Sequence, residues 1–107
     1  MDGLSEMHGK RSNPTVVGLL HLRLHVPQAA SLKDKRRCVK SFKDRAAHAF
    51  NVSVAEVDSL DNHRMAVLAI ATVSNDKAMV DSVLQKILAM ASMHRDMLLV
   101  EHQIEFL

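Results

Sequence analysis

Between Thr15 and Val26 apolar and polar positions alternate. Val16, Gly18, Leu20, Leu22, Leu24 and Val26 share one side of an extended chain, and Val17, Leu19, His21, Arg23 and His25 share the other. A period of two predicts a half-buried strand. Pro27 ends it, because proline has no N–H to give to a ladder. The period then becomes helical. Leu32, Val39, Phe42, Ala46 and Ala49 or Phe50 form a narrow apolar stripe. Ser31 stands just before this stripe and Asp34 three residues later, the spacing of a capping box.

The second half continues with two strands, a helix and a closing strand. Asn51–Asp58 carries Val52, Val54 and Val57, with broken alternation near Ala55 that predicts a bulge or an edge. Ser59–His63 is turn-prone around Asp61-Asn62. Arg64–Val73 is apolar on both faces, as a central strand can be. Ser74 or Asn75 caps a second helix whose buried stripe is Val80, Val83, Leu84, Ile87 and Ala91. Met97–Leu107 closes as a strand. The predicted order is β-α-β-β-α-β, with right-handed crossovers. That is a ferredoxin-like α+β sandwich: a four-stranded antiparallel sheet with two helices on one face. Residues 1–14 are expected to be a flexible tail and residues 15–107 a single domain.

Composition narrows the class. The 107 residues are 48% hydrophobic and 24% charged, as in an ordinary soluble domain. Cys38 is the single cysteine, which excludes an intrachain disulfide and suits a reducing compartment. No signal-peptide core stands in the first fourteen residues, and the run Met65–Val73 is too short for a bilayer span, so a cytoplasmic location with no membrane partner is expected.

Charge placement says more than its total. The net charge is only +2, yet Lys33, Lys35, Arg36, Arg37, Lys40, Lys43 and Arg45 face only Asp34 and Asp44, a local charge of +5. Cations in the first turns of a helix oppose its dipole, an arrangement that makes sense if a phosphate is bound there. Lys33, Lys35, Arg36, Arg37, Lys40 and Lys43 are therefore the candidate anion- or nucleic-acid-binding residues. The bland alternative is a solvated basic face.

Other candidates are weaker. His21, Arg23 and His25 share a strand face near His102, but no cysteine joins them as a metal set. Cys38 reads as a small buried hydrophobe. Methionines 65, 79, 90, 93 and 97 read as core filling. Glu56, Asp58 and Asp61 read as an acidic solvated turn. There is no Walker A loop, dinucleotide fingerprint or G-x-S-x-G, and His25–Ser31 has no glycine for a phosphate cradle. No cofactor, metal or catalysis is expected. The first and third strands carry no aromatic residue, which disfavours base stacking on the sheet.

Three segments taken together carry a family resemblance. They are Ser31-Leu32-Lys33-Asp34-Lys35-Arg36-Arg37, Phe50-Asn51-Val52-Ser53-Val54-Ala55-Glu56-Val57 and Val73-Ser74-Asn75-Asp76. In this order and spacing the chain resembles the YlxP-like family of small bacterial proteins of unknown function, over about Val16 to Leu107. The resemblance implies a ferredoxin-like fold, a bacterial source and gene neighbours in translation and ribosome maturation, near ribosome-binding factor A. It supplies no catalytic residues. The chain departs from the family pattern at Asn62-His63 and at Met65.

These readings lead to a non-catalytic protein that binds RNA or a ribosomal particle through its first helix. The alternatives are a structural or regulatory homodimer without nucleic acid, and a small-molecule-binding domain. A homodimer is expected in any case. Val17 and Leu19 precede His21, Arg23 and His25 on the sheet face without helices. The third strand adds either Met65, Val67 and Val73 or Leu68 and Ile70.

Overall fold

The computed structural model describes residues 14–107, so the tail reading of residues 1–14 lies, but for Pro14, outside the described residues. The elements run β1 (Val16–His25), α1 (Leu32–Ala49), β2 (Ser53–Asp58), β3 (Met65–Ser74), α2 (Lys77–Ser92) and β4 (Leu98–Phe106). They form one antiparallel sheet in the order β2-β3-β1-β4. Both helices pack on one face, giving the ferredoxin-like α+β sandwich expected from the alternation.

The centre of the sheet decides which face is which. Leu20 pairs with Ile70, Leu22 with Leu68 and Leu24 with Ala66, and all six are fully buried. The helices close over them with Val39, Phe42 and Ala46 from α1 and Val80, Leu84, Ile87 and Ala91 from α2. Each large apolar side chain buried this way contributes about 1.5–3 kcal/mol. Gly18 continues the core face of β1. A Cβ there would overlap Val80 and stand 2.9 Å from Leu84 Cδ1, so the glycine lets α2 sit directly on the strand.

The register settles the ambiguity of β3. Leu68 and Ile70 point into the core, so Met65, Val67, Ala69, Ala71 and Val73 line the open face, opposite His25, Arg23, His21, Leu19 and Val17. The irregularity expected near Ala55 lies between Glu56 and Asp58, and a second one interrupts β1–β4 pairing at Arg23/Leu24.

Both helix starts are self-capped. Ser31 Oγ accepts the Asp34 N–H at 3.1 Å, and Asp34 Oδ2 accepts the Ala30 N–H at 3.0 Å. The second cap is Asp76, not Ser74 or Asn75. Its carboxylate accepts the N–H groups of Ala78 and Met79, while Ser74 Oγ accepts the Asp76 N–H. The shorter hydroxyl thus supports the residue whose carboxylate reaches the helix.

The methionines divide. Met97 is buried, whereas Met79 and Met93 are exposed, because both lie off the apolar side of α2 and its end. Cys38 is only half-buried, at the margin of the α1 stripe.

Candidate nucleic-acid interface

The basic segment folds into α1, and helical geometry spreads its cations around the helix. Lys33, Arg36, Lys40 and Lys43 follow i, i+3, i+7 and i+10 spacing, which places them along one flank. All four are exposed. Arg36, Lys40 and Lys43 border a groove between α1 and the edge strand β2, with Val39 at its floor and Asp44 and Glu56 on its walls. Over ten residues the flank runs about 15 Å along the helix axis.

Two of the exposed cations have partners. Lys40 Nζ lies 2.7 Å from Asp44 Oδ2, with both side chains largely in water, so this pair is weak and easily exchanged. Arg37 lies on the neighbouring side of the helix, 3.9 Å from Asp34. Lys33, Arg36 and Lys43 have no carboxylate within ion-pair distance among the described residues.

Lys35 is a correction to the candidate set. Its side chain is fully buried and cannot meet a phosphate. Nζ donates to Glu56 Oε2 at 2.7 Å and to the carbonyls of Ser59, Met65 and Leu60 at 2.9, 3.2 and 3.3 Å. The same bond moves Glu56 out of the acidic turn, because it lies opposite Leu68 and so shares the helix-covered side of the sheet. The ammonium thereby joins α1 to the β2–β3 hairpin. A Lys reads as solvated by type, but residues 35, 39, 42 and 46 share the spacing of the apolar stripe. That spacing is the signal by which Lys35 could have been found.

At the helix start Ser31 Oγ accepts the Asp34 N–H, and the Asp34 carboxylate, held by the Ala30 N–H, sets a negative charge beside the tip where a phosphate is expected. The cationic surface is the flank of α1, not its tip.

The histidines do not converge. His21 and His25 share the open face, whereas His102 pairs with Leu22 and therefore lies on the helix side of β4. Among the described residues no group of three or more His, Cys, Asp or Glu stands together as a metal site. Burial, then the Asp96 and Asp34 carboxylates, push the Cys38 thiol above its usual range, against the influence of Arg37. No aromatic ring offers a stacking platform on the sheet: Phe42 is buried, and Phe50 and Phe106 are half-buried, the latter under the Lys77 ammonium. No helix among the described residues is long and apolar enough to cross a membrane.

Residues 17–104 match the family described as "Protein of unknown function (DUF503)". Among curated proteins, the chain is 31% identical over 74 residues to the "Uncharacterized protein YlxP" of Bacillus subtilis (strain 168), covering 69% of this chain and 80% of that protein. Among solved structures it is similar to the "De novo designed protein Foldit4", with a TM-score of 0.52 and 17% identity over 88% of this chain and 97% of that one. The designed protein speaks for the fold alone.

Proposed function

The chain belongs to the DUF503 family, and for this member we propose a non-catalytic, cytoplasmic role in which the flank of α1 binds the phosphates of structured RNA, free or within a ribosomal particle. The observation that carries this reading is the alignment of Lys33, Arg36, Lys40 and Lys43 along one exposed side of a helix. Such a row suits a backbone of evenly spaced phosphates, and charge of this kind supplies affinity without reading sequence. Lys40 can exchange Asp44 for a phosphate at small expense, since an exposed pair contributes about 1 kcal/mol or less. The lack of an exposed aromatic ring favours phosphate contact over base stacking, and so paired over single-stranded RNA.

The test is cosedimentation of the purified full chain with ribosomal particles and with an RNA hairpin at low salt. Wild type is expected to sediment with RNA. A variant carrying Lys33→Gln, Arg36→Gln, Lys40→Gln and Lys43→Gln is expected to stay in the supernatant. Equal sedimentation of the two proteins would overturn the reading.

A further inference from the structure

The sheet face without helices has a relief that fits itself. On β1 the open-face side chains are large: Val17, Leu19, His21 and Arg23. On β3 the residues directly beside Leu19 and His21 are Ala71 and Ala69. On β2, Ser53 and Ala55 face the same way, beside Ala71 and Ala69. A ridge along β1 therefore borders a short trough at Ala69 and Ala71 of β3 and Ser53 and Ala55 of β2, closed on β3 by Val67 and Val73, and near Val73 a hollow of about 320 Å³ is lined in part by Val17, Ser53, Ala71 and Val73.

We infer that this face is the interface of a two-fold homodimer, with the β1 ridge of each copy seated in the β3 trough of the other. A two-fold axis parallel to the strands, between β1 and β3, produces this fit. It lays Leu19 of one copy over Ala71 of its mate and Val17 over Val73, and it repeats both contacts by symmetry.

Size and polarity agree with this occupant. Four strands about 4.8 Å apart, with residues rising about 3.3 Å, make a plane of roughly 600 Å². Side-chain relief brings the accessible surface toward the ~800 Å² per partner that a stable dimer buries. The apolar area around Val17, Leu19, Ala69, Ala71 and Val73 gives way toward β4 to Gln103, Glu105 and the Arg23–Glu101 pair, whose charges are already matched at 3.1 Å. An apolar area bordered by polar side chains is interface anatomy. The same face is a poor one for RNA, because its single arginine is paired and two glutamates stand beside it. The dimer leaves both α1 flanks outward, so it does not depend on the RNA reading.

Sedimentation equilibrium of the full chain decides. Wild type is expected at twice the chain mass at tens of micromolar. Ala71→Glu brings two carboxylates into the contact and is expected to weaken the dimer at least tenfold. Val73→Glu, at a side chain already 57% exposed, should do the same with the fold intact by circular dichroism. Met79→Lys, at an exposed position of α2 on the other side of the sheet, should leave the dimer unchanged. A wild-type monomer at about 100 µM would overturn the inference. So would a dimer sensitive to Met79→Lys but not to the other two, or one that forms only after residues 1–14 are removed.

Discussion

Lys35 Nζ and Glu56 Oε2 lie 2.7 Å apart, 21 residues distant in sequence, with the lysine side chain wholly excluded from water. Four oxygens surround an ammonium that has three protons, so its charge is matched and its donors are used. The three carbonyls come from the hairpin, including that of Ser59, which stands at a positive φ of 59°. This contact ties α1 to the β2–β3 hairpin from inside, while Lys33, Arg36, Lys40 and Lys43 stand on the outer flank of the helix.

Removing either partner leaves the other buried and unmatched, which typically costs about 3–5 kcal/mol. Lys35→Ala adds the loss of a four-carbon stem from the stripe. Such a loss is a large share of the ~5–15 kcal/mol that holds a small domain. Urea unfolding is expected to place Lys35→Ala and Lys35→Met well below wild type, with Glu56→Gln between them. At temperatures where Lys35→Met is folded, its RNA affinity should equal that of wild type. A Lys35→Met protein of wild-type stability would remove this contact from the account.

Gly18→Ala tests the seating of α2. The added methyl meets Val80 and Leu84, which are themselves packed in the core. Overpacking of this kind costs about 1–3 kcal/mol. The companion Val80→Ala should recover part of the loss in the double variant, since it clears the space. Additive losses would contradict the close approach.

His94 gives the fold a pH dependence. Burial lowers its pKa from the ordinary 6.5, with Arg45 acting the same way and Asp96 against it. Its Nδ1 accepts the Asp96 N–H at 3.1 Å, and its ring meets the edge of buried Phe42 with centroids 6.4 Å apart. The folded state therefore binds this proton more weakly than the unfolded state does. Stability from His94 is full above about pH 6.5 and is lost as pH falls below it. The urea midpoint of wild type should drop from about pH 6.5 to about pH 5 more steeply than that of His94→Phe, which keeps a ring and lacks the proton. Parallel curves would show that His94 does not titrate with folding.

The sequence showed the fold in its periods. Alternation gave β1, and the helical stripes gave α1 and α2, because each reports which side meets the core. The open-face register of β3 was not legible, since a strand apolar on both sides looks the same in either register until Leu68 and Ile70 are paired with Leu22 and Leu20. In the candidate site, i, i+4 and i+7 spacing gathers Lys33, Arg37, Lys40 and Lys43, whereas in the structure Arg37 turns to Asp34 and Arg36 borders the groove with Lys40 and Lys43. Residue type hid Lys35, because its partner Glu56 comes from a different element and its carbonyl partners have no sequence signature. Asp34 reads as a capping-box residue from its spacing to Ser31, and its carboxylate does turn back past the cap to the Ala30 N–H.

The salt dependence of RNA affinity tests the central claim most directly. Each phosphate contact adds about 0.7–0.9 to the slope of log affinity against log salt. Binding of an RNA hairpin should be measured for wild type and for the fourfold Lys33, Arg36, Lys40 and Lys43→Gln protein. Wild type is predicted to bind with a slope steeper by roughly 2 to 4 than that of the variant, and the variant to lose affinity equally for unrelated hairpins. The same slope and affinity in both folded proteins would contradict the account.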